Sequence, residues 1–110
     1  MSERDRRIGL NEAVFREVNE RIEDLAERFN IQDQPLDLIC ECADENCTER
    51  ISMTHPEYEE LRSDSRQFAV YPGHEYGEVE DVVARRERYD IVRKRDDEAA
   101  ELAEASDSRT

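Results

Sequence analysis

The chain has 110 residues, of which 42% are Asp, Glu, Lys or Arg, and it carries a formal charge of −14 at pH 7. One domain is the expectation at this length, and a hydrophobic share of 36% sits at the polar edge of globular composition. The acidity argues against direct nucleic-acid binding and against an anionic membrane surface, because a phosphate binder needs a basic face. The basic runs RDRR at 4–7, ARRER at 84–88 and RKR at 93–95 all have acids close by.

Residues 1–10 read as a flexible N-terminal segment. NEAVFREVNERIEDLAERFN, 11–30, is the clearest helix, with Phe15, Val18, Ile22, Leu25 and Phe29 recurring at steps of three and four. Asn11 is a candidate N-cap. The apolar stripe is expected to cover a sheet, and the Glu and Arg between its members to face solvent. NIQDQP, 30–35, reads as a loop. LDLICEC, 36–42, is a short strand, ADEN, 43–46, a turn, and ERISM, 49–53, the returning strand of a hairpin. THPEYEELRS, 54–63, is a second helix. Thr54 and Glu57 have capping-box spacing, and Pro56 falls in the first turn, where its missing N–H does no harm. RQFAVYPG, 66–73, is a strand stopped by Pro72 and Gly73. The valines of 79–94 and the alternation of YDIVRK favour a hairpin there, turning near Arg86–Arg88. Residues 95–110 read as an acidic, disordered tail with some helix in DDEAAELAEA. The fold class expected is α+β: two helices on a small, mainly antiparallel sheet.

All three cysteines, Cys40, Cys42 and Cys47, fall within the octet CECADENC. Residues i and i+2 of an extended strand share a face, so Cys40 and Cys42 stand side by side and Glu41 points away. A turn then returns Cys47 toward them. Three converging thiolates suit tetrahedral zinc, and an iron–sulfur cluster would call for a fourth cysteine. The fourth donor falls to a histidine. His74, in the loop PGHEY, is preferred to His55, which opens the second helix where solvent is expected; both stay candidates. A zinc site of Cys40, Cys42, Cys47 and His74 would also strengthen a domain with a small core. The alternatives are a disulfide across the turn, Cys42–Cys47 or Cys40–Cys47, or plain burial, which explains one cysteine better than three.

The stretches NEAVFREVNERIEDLAERF, ICECADENCTERISMTHPEYEELR, RQFAVYPGHE and VEDVVARRERYDIV together resemble a group of small bacterial proteins with a CECxxxxC … PGHE layout and no assigned activity. The resemblance spans roughly 11 to 94. It implies that Cys40, Cys42, Cys47 and His74 form one pattern, and that His55 stands at a position the layout leaves free.

No apolar run approaches the ~20 residues of a membrane span, and the N-terminus has no apolar signal region, so a cytoplasmic location is expected. The sequence holds no glycine-rich phosphate loop, no GxSxG and no HExxH. The expectation is a structural-zinc domain, 11–94, that acts without catalysis through a protein partner, a basic one being the natural complement to its charge. A redox switch on the same zinc-bound thiols is the alternative. A zinc enzyme ranks below both, because catalytic zinc more often uses His with carboxylate.

Overall fold

The computed structural model describes residues 3–31, 33–42, 44, 46–77, 79–95, 98–107 and 109. Its elements in chain order are α1 Glu3–Arg28, β1 Leu36–Ile39, β2 Arg50–Met53, α2 His55–Arg62, β3 Gln67–Val70, β4 Glu80–Arg85, β5 Asp90–Lys94 and α3 Glu98–Ala105. The class is α+β, and the strands form two antiparallel sheets, β1-β2 and β3-β5-β4. The first hairpin pairs Leu36 with Met53 and Ile39 with Arg50. The second joins β4 to β5 as expected, with a register shift between Val82 and Ala84.

Local chemistry sets the boundaries. At the start of α2, Glu57 N–H donates to Thr54 Oγ1 (3.2 Å) and Thr54 N–H donates to Glu57 Oε1 (2.8 Å), which completes the capping box. At the end of α1, Asn30 adopts a left-handed φ of 56°. Ile31 N–H then reaches Ala26 O (3.0 Å) and Asn30 N–H reaches Glu27 O (3.2 Å), the two bonds of a Schellman stop.

Both ends of the chain depart from the sequence expectation. Residues 3–10 are helical, so Asn11 lies inside α1 and is not its N-cap. The tail beyond Arg95 carries α3, whose Ala100 and Ala103 are buried. The physical reason is mutual: α1 and α3 pack together, and Gly9 allows the approach. A Cβ at position 9 would lie 2.8 Å from Leu102 Cδ2. Met1, Ser2, Asp96, Asp97, Ser108 and Thr110 lie outside the described residues.

The larger correction concerns the orientation of α1. Its apolar stripe covers a sheet only in part: Ile22 packs against the core at β1-β2, whereas Val18 is 39% exposed, Leu25 51% and Phe29 72%. The buried face instead carries Glu12, Arg16, Asn19, Glu20 and Glu23. These groups go inward because the interior holds partners for them. Lys94 Nζ, itself buried, bonds Glu12 and Glu80 (2.7 Å to Glu80 Oε1). Arg16 lies over the Phe68 ring, 4.6 Å from its centroid, and donates to Ser65 O (2.6 Å) and Ala103 O (2.8 Å). Asn19 Nδ2 donates to Ile39 O (2.9 Å) and Asn19 Oδ1 accepts from Ile39 N–H (2.9 Å), fixing α1 to β1. The apolar core lies between the sheets and α2, around Leu36, Leu38, Ile51, Met53, Tyr58 and Leu61, and α1 reaches it only near its C-terminal end, through Ala26 and Ile22.

Candidate metal centre

β1 leads directly into the cysteine octet. Cys40 N–H donates to Glu49 O (3.2 Å), which carries the β1-β2 pairing one step beyond the strands. The backbone alternates as expected: Cys40 and Cys42 join Phe68, Val70 and Val92 in a second core cluster, and Glu41 points to the opposite side. Asp44 then reverses the chain. Its Oδ1 accepts from Asn46 N–H (2.9 Å) and its carbonyl from Cys47 N–H (3.0 Å), an Asx turn inside a β-turn. Ala43 and Glu45 of this turn lie outside the described residues.

His74 arrives from the β3–β4 connection. Tyr71-Pro72-Gly73-His74 is a turn closed by His74 N–H to Tyr71 O (2.9 Å). Proline at its second position and Gly73 at φ 87° at its third are what a type II turn requires. Gly73 N–H also donates to Asp90 Oδ2 (3.1 Å), which fastens the turn to β5.

The four donors converge. One ligand atom from each of Cys40, Cys42, Cys47 and His74 lies within 4.8 Å of all the others. His74 Nδ1 is 3.7 Å from Cys40 Sγ and 3.6 Å from Cys47 Sγ. Metal–sulfur bonds of about 2.3 Å and a metal–nitrogen bond of about 2.05 Å at the tetrahedral angle give an S···N edge of about 3.6 Å. The donor set and its spacing therefore fit a tetrahedral ion held by three thiolates and an imidazole. Cys40 is 3% exposed and Cys42 1%, while Cys47 and His74 are half-buried.

Surrounding groups orient these donors. Tyr71 N–H donates to Cys40 Sγ (3.0 Å), a contact that favours the thiolate. The Tyr71 ring lies 5.2 Å from the His74 imidazole, tilted by 59°. The thiols share their protons unequally. The hydrogen bond from the Cys40 side chain pulls Cys42 below the ordinary thiol range, and that bond together with burial pushes Cys40 up. Burial also raises Cys47. A hollow of about 260 Å³, lined by Cys42, Asp44, Gly73, His74, Glu75 and Tyr76, opens onto the centre.

His55 is not part of this centre. It packs against α1, with Nδ1 3.6 Å from Glu23 Oε2, so the helix terminus is half-buried rather than solvated. Glu23, Glu27 and His55 also lie within 4.8 Å of one another, but Glu23 accepts a hydrogen bond from the Arg109 guanidinium (2.9 Å), which already supplies a cation there.

Glu41 is the residue that sequence reasoning underrated. Read as pointing away from the thiols, it does so into the protein: its side chain is fully buried. It accepts from Asn19 Nδ2 (2.8 Å), from Ala69 N–H (2.9 Å) and from Arg62, while its own N–H donates to Ala69 O (2.9 Å). One residue thus ties the cysteine strand to α1, α2 and the edge of β3. The only trace in the sequence is a carboxylate set between two buried thiols.

Comparison with known proteins places no relative beside this geometry: no protein-family model matches the chain, and neither a curated protein nor a solved structure is significantly similar to it.

Proposed function

We propose that this protein is a structural-zinc domain of the cytoplasm that works without catalysis, through protein partners. The observation that carries the reading is the convergence of three thiols and His74 Nδ1 at tetrahedral-edge spacing. Zinc is the ion because soft thiolates select it and the ligand set is complete at four. Bound there, it supplies a crosslink between the β1–β2 connection and the Tyr71–His74 turn. Its binding energy becomes folding energy, on the order of 10 kcal/mol in zinc-finger peptides. A basic partner is favoured by the formal charge of −14. Among the described residues no helix is long and apolar enough to cross a membrane.

The test is elemental analysis of protein purified without added metal, alongside its free-thiol count. One zinc per chain with masked thiols is the expected result. No metal and three freely reactive thiols would overturn the reading.

The hollow over Cys42 and the partial exposure of Cys47 favour one further reading, a redox switch on the same residues. In it, hydrogen peroxide takes two electrons from two thiolates, one S–S bond forms, the peroxide O–O bond breaks to give two hydroxide ions that solvent protonates to water, and the metal leaves. Mild peroxide would then release zinc reversibly. A purely structural site keeps its metal under the same treatment.

A further inference from the structure

The outward face of α1 has no partner within the described chain, and it is apolar over most of its length. Leu10 is 43% exposed, Val14 59%, Val18 39%, Leu25 51% and Phe29 72%. From Val14 to Phe29 the face runs about 22 Å at 1.5 Å per residue. Patches of this kind on a soluble surface mark interaction sites. The order Phe15, Val18, Ile22, Leu25, Phe29 is also the three-and-four alternation that lets two helices interlock.

The flanking charges identify the occupant. Glu17, Arg21, Asp24 and Arg28 form one row beside the apolar face, reading minus, plus, minus, plus. Reversed, the row reads plus, minus, plus, minus. A second α1 laid antiparallel therefore places Glu17 opposite Arg28 of the other copy and Arg21 opposite Asp24 at a single register. That register, within one to two residues or about 1.5–3 Å, also sets Phe15 against Phe29 and Val18 against Leu25, with Ile22, one side of which packs on the core, near the two-fold axis. One alignment satisfies both rows, as a self-complementary two-fold interface demands.

The ground around the helix agrees. A groove of about 280 Å³, lined by Ile22, Leu25, Phe29, Ile31, Pro35 and Leu36 among others, continues the apolar face past the end of α1. In the same register it receives Val14 and Leu10 of the second copy. The apolar face is centred roughly 120° around the helix from its buried side, at 3.6 residues per turn, so the second copy approaches clear of the sheets. We infer that the protein is a homodimer, joined by antiparallel packing of the outward faces of two α1 helices.

The experiment is sedimentation of the full-length, metal-replete chain across a concentration series, with four variants. The parent is expected to sediment as two chains. Phe29→Glu should weaken the dimer at least about a hundredfold, since a buried aromatic anchor is lost from both copies. Glu17→Arg and Arg28→Glu, each alone, set like charges opposite one another twice and should weaken it on the order of tenfold. The double variant Glu17→Arg/Arg28→Glu restores the opposite signs and should recover the parent affinity. All three sites lie away from the buried side of α1, so circular dichroism and metal content of the four variants should match the parent, which separates this result from failure of the metal reading. A monomer at about 1 mM, where even a millimolar pair is half formed, would overturn the inference, as would a dimer indifferent to Phe29→Glu. A dimer weakened by both single charge variants and not rescued by the double would overturn the antiparallel register.

Discussion

At the Cys40–His74 corner, four donors lie close enough together to hold an ion from outside. Along the inner face of α1, by contrast, buried charges meet other charges of the same chain: Glu41 with Arg62, and Lys94 with Glu12 and Glu80. The corner gathers polar atoms that cannot satisfy one another as thiolates, since all three would carry the same sign. The helix face gathers polar atoms of opposite sign, which can. The two are joined through the backbone, because Glu41 sits between Cys40 and Cys42. A small apolar core leaves room for two kinds of polar crosslink, and the difference between them is what a chelator can reach.

The largest expected effect is at the corner. Cys42→Ser, or a strong chelator on the parent protein, should unfold the domain or lower its melting temperature by tens of degrees, because the metal's contribution is comparable to the whole stability of a small domain. An unchanged thermal unfolding curve after either treatment would remove the corner from the comparison.

Next comes the buried pair. Arg62→Met leaves Glu41 ionised and enclosed, and should cost about 3–5 kcal/mol. Adding Glu41→Gln removes that stranded charge and keeps one acceptor oxygen, for Ala69 N–H, while its amide nitrogen meets the Asn19 donor. The double variant should therefore regain at least half of the loss. If it is no more stable than Arg62→Met alone, the pair is not the unit that its geometry describes. Chemical denaturation at fixed metal occupancy measures both.

These two crosslinks differ in how well the chain announces them. The three thiols fall within one octet, strand alternation puts two on one side, and a turn returns the third, so local rules suffice. Only the choice between His74 and His55 needed the fold. The α2 capping box and both hairpins were legible for the same reason. The ion networks were not. Glu12 and Lys94 are 82 residues apart and Glu41 and Arg62 are 21 apart, with nothing local to couple them. Periodicity located the apolar stripe of α1 correctly, but only Ile22 of it packs on the core at β1-β2, while Val18, Leu25 and Phe29 face outward. A stripe records that one face is apolar, and says nothing about whether that face meets the chain's own sheet or another surface. The helical ends were missed in a related way: α1 and α3 lean on each other across the full length of the sequence.

A third test separates the two ion networks. Lys94→Met leaves Glu12 and Glu80 facing one another without their cation. Burial and the Glu80 carboxylate already hold Glu12 well above the ordinary carboxylate range. The variant should lose about 3 kcal/mol near pH 8 and recover part of it near pH 5, as one carboxyl takes a proton and bonds the other. A loss independent of pH would mean that Lys94 acts through packing on Phe68, which lies 5.6 Å from its Nζ.

The smallest effect concerns Glu23, where the inner face of α1 meets α2. Burial, reinforced by the Glu59 carboxylate, raises its pKa from 4.5 to about 8, although Arg109 pulls the other way. Below pH 4.5 both the folded and unfolded chains hold this proton, and above about 8 neither does. Between those limits the unfolded chain has released it and the folded chain has not, so this group makes stability fall as pH rises. Glu23→Gln cannot titrate. Its melting temperature should therefore decline less than the parent's between pH 5 and pH 8, by about a few degrees. Parallel profiles for the two proteins would show that Arg109 neutralises Glu23 fully, and would place this end of α1 with the satisfied ion pairs rather than with the crowded carboxylates around Lys94.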